Sequence, residues 1–223
     1  MTDRPILFSG PMVRALLEGR KTQTRRILKP QPSDYLPVAG AEFVDDRWCW
    51  LDGFDGSILE TFKAPFKIGD RLWIREAYQL PAILNTTPPR KVSSMSPVRY
   101  PANEGRDTGE DGDGNPIKLR PGIHMPRWAS RLTLIITDVR VQRLQGISYD
   151  DLIAEGIQST EIFERREEDC IERNIGCGRV SRDAFKELWN RINGPDAWDA
   201  NPWVTATTFT VHKVNIDQMK EAA

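Results

Sequence analysis

Pro11-Met12-Val13-Arg14-Ala15-Leu16-Leu17-Glu18-Gly19-Arg20-Lys21-Thr22-Gln23-Thr24-Arg25-Arg26-Ile27-Leu28-Lys29-Pro30 changes period halfway along. Met12, Ala15 and Leu16 fall at helical spacing, and Pro11 suits a first helical turn, where its missing N–H has no partner to lose. Gly19 stops the helix, because glycine adopts the left-handed conformation of a helix end without a Cβ clash. From Lys21 onward, threonines and Ile27 favour a strand, which Pro30 closes. Strand alternation sends Thr22, Thr24 and Arg26 to one face and Lys21, Gln23 and Arg25 to the other. A bend near Gly19 is what would bring Lys21 round to meet Thr24.

Working outward, Ile6-Leu7-Phe8 reads as a first short strand, with Ser9 capping the helix behind it. Downstream of Pro30 come Pro32, Pro37 and Gly40, then Phe43-Val44 and Trp48-Cys49-Trp50, with Asp52-Gly53 and Asp55-Gly56 as turns. This predicts a hairpin inserted at about 31–66, decorative in role. Arg71 to Tyr78 follows a Gly69-Asp70 turn as another strand. Residues 81–122 are rich in Pro, Gly, Ser and Asp, and their centre, 104–114, reads as a mobile loop. Asp111, Asp113 and Asn115 have the spacing of a calcium loop but lack its closing glutamate, so the chain offers no calcium site there.

Arg131 to Leu144 is the longest β pattern, apolar first and then alternating. Ser148 caps a short helix over Tyr149 to Glu155, which Gly156 ends. Residues 160–180 are charged and read as loop or marginal helix. Ser181 to Ile192 is the clearest amphipathic helix, with Phe185, Leu188, Trp189 and Ile192 on one face. Trp203 to Val214 is a closing strand expected to pair near the N-terminus or with 131–144. Trp189, Trp198 and Trp203 belong to the core. Separated helices and five or six strands predict an α+β fold built on a barrel.

The 223 residues are 39% hydrophobic and 28% charged, the balance of a soluble globular chain, and no apolar run is long enough to span a membrane. The N-terminus lacks the layout of a secretory signal. Cys49, Cys170 and Cys177 form no metal-ligand spacing and favour a reducing compartment, so a bacterial cytoplasm is expected. His124 and His212 are the only histidines. Neither a zinc site nor a phosphate-cradling glycine loop is apparent, and no cofactor is expected.

The net charge of −1 gives no global attraction to nucleic acid. It is unevenly spread: residues 149–172 are predominantly acidic, while Arg14, Arg20, Lys21, Arg25, Arg26 and Lys29 stand against Glu18 alone between Pro11 and Pro30. Such a basic patch suits a phosphate-bearing ligand, and equally suits a strand edge kept from aggregating by its charges.

Gly19-x-Lys21-x-x-Thr24-x-Arg26 resembles the signature of the ASCH domain, a small β-barrel related to the PUA domains of RNA-modifying proteins. Ile68-Gly69-Asp70-Arg71-Leu72-Trp73-Ile74-Arg75-Glu76 and Ala154-Glu155-Gly156 agree with it in order. The chain also resembles a prophage-encoded branch of that family, on Pro5-Ile-Leu-Phe-Ser-Gly10, His124-Met-Pro-Arg-Trp-Ala-Ser-Arg131 and Asn201-Pro-Trp-Val204. The resemblance implies one PUA-like barrel over residues 1–223, with flanking helices and insertions at about 31–66 and 81–122. It implies a nucleoside, nucleotide or RNA ligand.

Small bacterial ASCH proteins are amidohydrolases that remove the acetyl group from the exocyclic amine of acetylcytidine. By that resemblance Lys21, Thr24 and Glu155 are catalytic: Thr24 attacks the acetyl carbonyl, Lys21 activates it, and Glu155 orients or shuttles the proton. From residue chemistry alone, Arg20, Arg25 and Arg26 supply cationic neighbours that would lower the proton affinity of Lys21. Arg26 also has a planar fork for a carbonyl or phosphate oxygen. Glu76 is a second candidate acid, or else the ion-pair partner of Arg75 or Arg71. His124, Trp128 and Arg131 form a candidate base-stacking and phosphate-holding group, with Trp128 equally a packing residue. The rival functions are a non-catalytic RNA-binding module and a prophage accessory protein that meets a protein partner through 81–122.

Overall fold

The computed structural model describes residues 2–33, 38–45, 47–104, 109–157 and 177–219, without the side chains of 104 and 177–181. The charged stretch expected as loop or marginal helix lies outside them as far as residue 176. The fold is α+β, mostly sheet with few helices. In chain order it runs β1 (Asp3–Leu7), α1 (Gly10–Leu17), β2 (Gln23–Ile27), β3 (Val38–Val44), β4 (Arg47–Asp52), β5 (Ile58–Phe62), β6 (Arg71–Arg75) and β7 (Tyr78–Gln79). There follow α2 (Pro101–Glu104), β8 (Gly109–Glu110), β9 (Pro116–Ile117), β10 (Leu119–Arg120), β11 (Thr133–Arg143), α3 (Tyr149–Ala154), α4 (Cys177–Asn193) and β12 (Trp203–His212). Two compact units emerge: residues 1–20, 68–136 and 209–223 form the first, and 21–67 with 137–208 the second.

In the first unit, β1 pairs parallel with β6, and β6 pairs antiparallel with the start of β11. Helix α1 begins one residue before Pro11 and ends at Gly19, whose φ of 75° is the left-handed conformation expected there. Ser9 caps it with its backbone carbonyl, which accepts from Val13 at 2.9 Å, and makes no side-chain cap bond. A core of Tyr78, Leu80, Val92, Met125 and Ala129 lies under the 81–122 insertion, with Trp128 and Tyr100 packed against it. Of the stretch expected as a mobile loop, residues 105–108 lie outside the described residues, and the rest carries regular structure. Around Asp111, β8 and β9 close a hairpin in which the Asp111 carboxylate accepts from the backbone N–H of Asp113 and Asn115 at 3.0 and 2.8 Å. The three oxygen-bearing side chains that mimic a calcium loop therefore build a turn. Gly122 sits where no side chain fits, since a Cβ there would lie 2.9 Å from the Glu76 carbonyl carbon and 2.9 Å from Leu7 Cδ1.

In the second unit, β12 runs antiparallel to β2, with Thr207 opposite Thr24 and Thr205 opposite Arg26. The expected hairpin at 31–66 is a three-stranded meander, β3-β4-β5. It is not decorative. Trp50, 2% exposed, packs with Leu28 and Trp203, stacked on Phe62 at 4.3 Å between centroids and tilted against Trp203 at 4.9 Å. A second core gathers Phe185 and Trp189 of α4 with Leu144, Ile147, Leu152, Trp198 and Val204. The amphipathic face of α4 is shorter than its pattern, because Ile192 is 55% exposed one residue before the helix ends. Trp50→Ala removes a fully buried ring shared by the meander and the β2–β12 pair. It should cost about 3–5 kcal/mol, measured as a loss of denaturant midpoint with an unchanged slope.

Candidate functional site

The site in the second unit is built on β2 and α3. Lys21 precedes β2 and is 1% exposed, so its ammonium must find acceptors inside the protein. It donates to the backbone carbonyl of Glu155 at 2.9 Å and to the Glu155 carboxylate (Oε2) at 2.8 Å. Two residues on, the amide of Gln23 donates to Asp151 at 3.1 Å and to the Thr208 hydroxyl at 3.2 Å. Arg25, two residues further, donates to Asp151 at 2.7 Å and to Glu155 at 3.1 Å, and also bonds the Gln23 amide oxygen. Asp151 and Glu155 are four residues apart, so they share one face of the α3 turn and its end. The backbone joins in: Thr22 N–H donates to the Ala154 carbonyl at 2.8 Å.

Helix α3 is fixed by its own start. Ser148 and Asp151 form a reciprocal capping box, with the Asp151 N–H donating to the Ser148 hydroxyl at 3.1 Å. The helix ends at Gly156, whose φ of 84° suits only glycine comfortably. Asp151 thus serves the cap, Gln23, Arg25 and, at 2.8 Å, Arg140 of β11. Burial by itself would raise its carboxyl. The hydrogen bond from Arg140, the charge of Arg25 and the hydrogen bond from Gln23 outweigh that and hold it well below the usual carboxylate range.

The other face of β2 carries Thr24 and Arg26, since alternation separates them from Gln23 and Arg25. Thr24 is 4% exposed and stands opposite Thr207, whose buried hydroxyl has no hydrogen-bond partner among the described residues. Arg26 is exposed as a residue, yet partial desolvation lowers it from the ordinary arginine value, with the Glu155 charge opposing the shift. The structure therefore joins Lys21 to Glu155 directly and sets Thr24 on the face opposite Gln23 and Arg25.

The remaining sequence candidates are in the first unit. Arg20 pairs with Glu18, its Nε 2.7 Å from the carboxylate. Glu76, 1% exposed, is the partner not of Arg75 or Arg71 but of Arg131, which grips it with two bonds of 2.8 and 2.9 Å. Arg131 in turn lies over the Tyr100 ring at 4.0 Å. Trp128 packs against the apolar core, and His124 lines a separate cavity with Arg120. His124, Trp128 and Arg131 thus serve three different ends.

Sequence reasoning placed Gln23 and Arg25 on the Lys21 face but missed Asp151, Arg140 and Thr207 as their neighbours. A signal existed for Asp151: the i, i+4 spacing to Glu155 places both carboxylates on one helical face. For Arg140 and Thr207 only the strand register could have shown it. The group of His, Cys, Asp or Glu side chains needed to hold a metal ion does not occur among the described residues. Likewise, no helix among them is long and apolar enough to cross a membrane. Comparison of the chain with family models, with curated proteins and with solved structures finds no match in any of the three.

Asp151→Asn leaves Arg25 and Arg140 facing a neutral amide and should cost about 3 kcal/mol near neutral pH. A carboxyl depressed by folding contributes its stability above its unfolded pKa, near 3.8, and loses it as pH falls toward the lower folded value. The gap between wild type and variant, read from urea unfolding, should therefore narrow progressively as pH drops through and below 3.8. A gap that stays constant would show that Asp151 acts only through its helix cap.

Proposed function

We propose that this chain is a PUA-like protein of the ASCH type that binds a nucleoside, nucleotide or RNA ligand around Lys21, Thr24, Arg26 and Glu155. The observation that carries the reading is the Lys21–Glu155 pair. These residues lie 134 positions apart, only the family resemblance coupled them beforehand, and their charged ends meet at 2.8 Å in a buried site. Thr207 adds support, because a buried hydroxyl beside Thr24 without a hydrogen-bond partner among the described residues suits a site that expects a polar ligand.

The chemistry proposed for this site is amide hydrolysis of an acylated cytidine. Lys21 passes a proton to the Glu155 carboxylate and, as a neutral amine, accepts the proton of the Thr24 hydroxyl. Thr24 Oγ1 then bonds to the acetyl carbon, the C–N bond to the exocyclic amine breaks, and that amine leaves with a proton returned by the Lys21–Glu155 pair. Water cleaves the resulting acyl-threonine and restores the site. The second reading is ligand binding without turnover. It is favoured by strand alternation, which puts Thr24 on the face away from Gln23 and Arg25; the hydrolytic reading requires Lys21 to turn from Glu155 toward that face.

Incubation with acetylcytidine, followed by the change in absorbance as cytidine forms, separates the readings. Turnover that falls at least about a hundredfold in both Lys21→Ala and Thr24→Ala, with melting temperature retained in Thr24→Ala, establishes the hydrolase. Absence of turnover, with cytidine or RNA binding that weakens in Arg26→Ala, establishes the binding module. If neither turnover nor binding occurs, the proposal fails.

A further inference from the structure

The first unit contains a cavity of about 590 Å³ on the 81–122 insertion, within the size range of small-molecule pockets. Its ionisable lining is Lys118, Arg120 and His124, and no carboxylate lines it. The polar remainder comes from Asn85, Thr86 and Thr87, while prolines and Leu119 form an apolar wall. The backbone of this wall is held firmly. The Asn85 amide donates to the Pro116 carbonyl at 2.8 Å and accepts from the Lys118 N–H at 3.0 Å.

Arg120 is the anomaly. It is 7% exposed, and a guanidinium so deeply buried is ordinarily matched by a carboxylate. Arg120 has no such partner among the described residues. Its contacts are to neutral acceptors, the Leu84 carbonyl and the Tyr78 hydroxyl, and its Nε has no hydrogen-bond partner among the described residues. Neutral acceptors satisfy donors without cancelling a charge, so the described residues leave the cost of burying this cation uncompensated.

The rest of the molecule shows what compensation looks like. Arg25 has Asp151 and Glu155, and Arg131 has Glu76, each within 3.1 Å. Arg120, by contrast, is a mostly buried guanidinium with no carboxylate partner among the described residues, and it lines an open cavity that also carries a lysine and a histidine. We infer that this cavity binds a phosphate monoester of a small polar molecule, with Arg120 and Lys118 holding the phosphate, His124 at its side, and the proline-lined wall receiving the organic portion. A planar guanidinium can offer two parallel N–H donors to phosphate oxygens, and a neighbouring ammonium adds a point charge. The inference is independent of the ligand proposed for Lys21 and Thr24, since every residue invoked belongs to the first unit.

Isothermal titration of the full chain with inorganic phosphate and ribose 5-phosphate, with ribose as the uncharged control, tests it. Both phosphate-bearing titrants should bind, ribose should not, and ribose 5-phosphate should bind more tightly than phosphate. Lys118→Ala removes an exposed side chain and should weaken binding about fivefold. Arg120→Gln should weaken it about a hundredfold. Lys118→Ala keeps the test decisive should Arg120→Gln fail to fold, as judged by its melting temperature. Affinity unchanged in Lys118→Ala overturns the assignment, as does equal binding of ribose and ribose 5-phosphate. Phosphate binding abolished by Arg26→Ala and not by Lys118→Ala would place the anion at β2, and would overturn it too.

Discussion

Burying Lys21 and Arg25 is the constraint from which the second unit is organised. Both cations, at 1% and 5% exposure, are matched by carboxylates, and both carboxylates come from one turn of helix and its end. Because Asp151 and Glu155 are four residues apart, they can meet only side chains that lie along a line, and the alternating Lys21, Gln23 and Arg25 supply that line. A slip of one residue in β2 would bring Thr22, Thr24 and Arg26 to α3 and leave the acids largely unmatched. The ion pairs therefore specify register as well as contributing to stability, and the Thr22–Ala154 backbone bond fixes the same alignment.

That alignment explains why some of the architecture was legible beforehand and some was not. The period change at Gly19 gave both α1 and β2, and the Ser148 and Gly156 signals bounded α3 correctly, because caps and left-handed stops are local chemistry. The alternation of β2 was equally visible: Lys21, Gln23 and Arg25 were assigned one face from sequence, and they share it. What that face meets was not visible, since Asp151 and Arg140 enter through packing of α3 and β11, which no local pattern encodes. The meander at 31–66 shows the same limit. Its turns were read, but the burial of Trp50 against Trp203 depends on a contact across about 150 positions of chain. In 81–122 the turn chemistry of Asp111 was not read, because Pro, Gly and Asp build tight hairpins as readily as they build disorder.

For the candidate site the division is sharper. Lys21 and Thr24 follow from a motif, and Glu155 from a family resemblance with no local signal of its own. The structure joins the first and third, and leaves the second on a different face of one strand. A strand can serve two faces at once, one for holding a helix and one for holding a ligand. In this arrangement Glu155 belongs to both, since it accepts from Lys21 and Arg25 and its charge also reaches Arg26.

The distribution of buried charge separates scaffold from site more clearly than any motif. Glu76 reads from the sequence as a second candidate acid on a strand or, more readily, as an ion-pair partner, and the pair it makes is with Arg131, whose two bonds reach both its oxygens and which an aromatic ring covers. Such a group is chemically occupied. Arg120 looked like nothing in the sequence, one cation among many in a loop-rich insertion, yet among the described residues its surroundings offer acceptors without an opposing charge. A fully matched ion pair has little left to give a ligand, whereas a buried cation with only neutral partners keeps most of its electrostatic demand unmet. By that criterion the insertion is more than a cover for the first unit's core, because a cavity of small-molecule size borders a buried cation that has no carboxylate partner among the described residues.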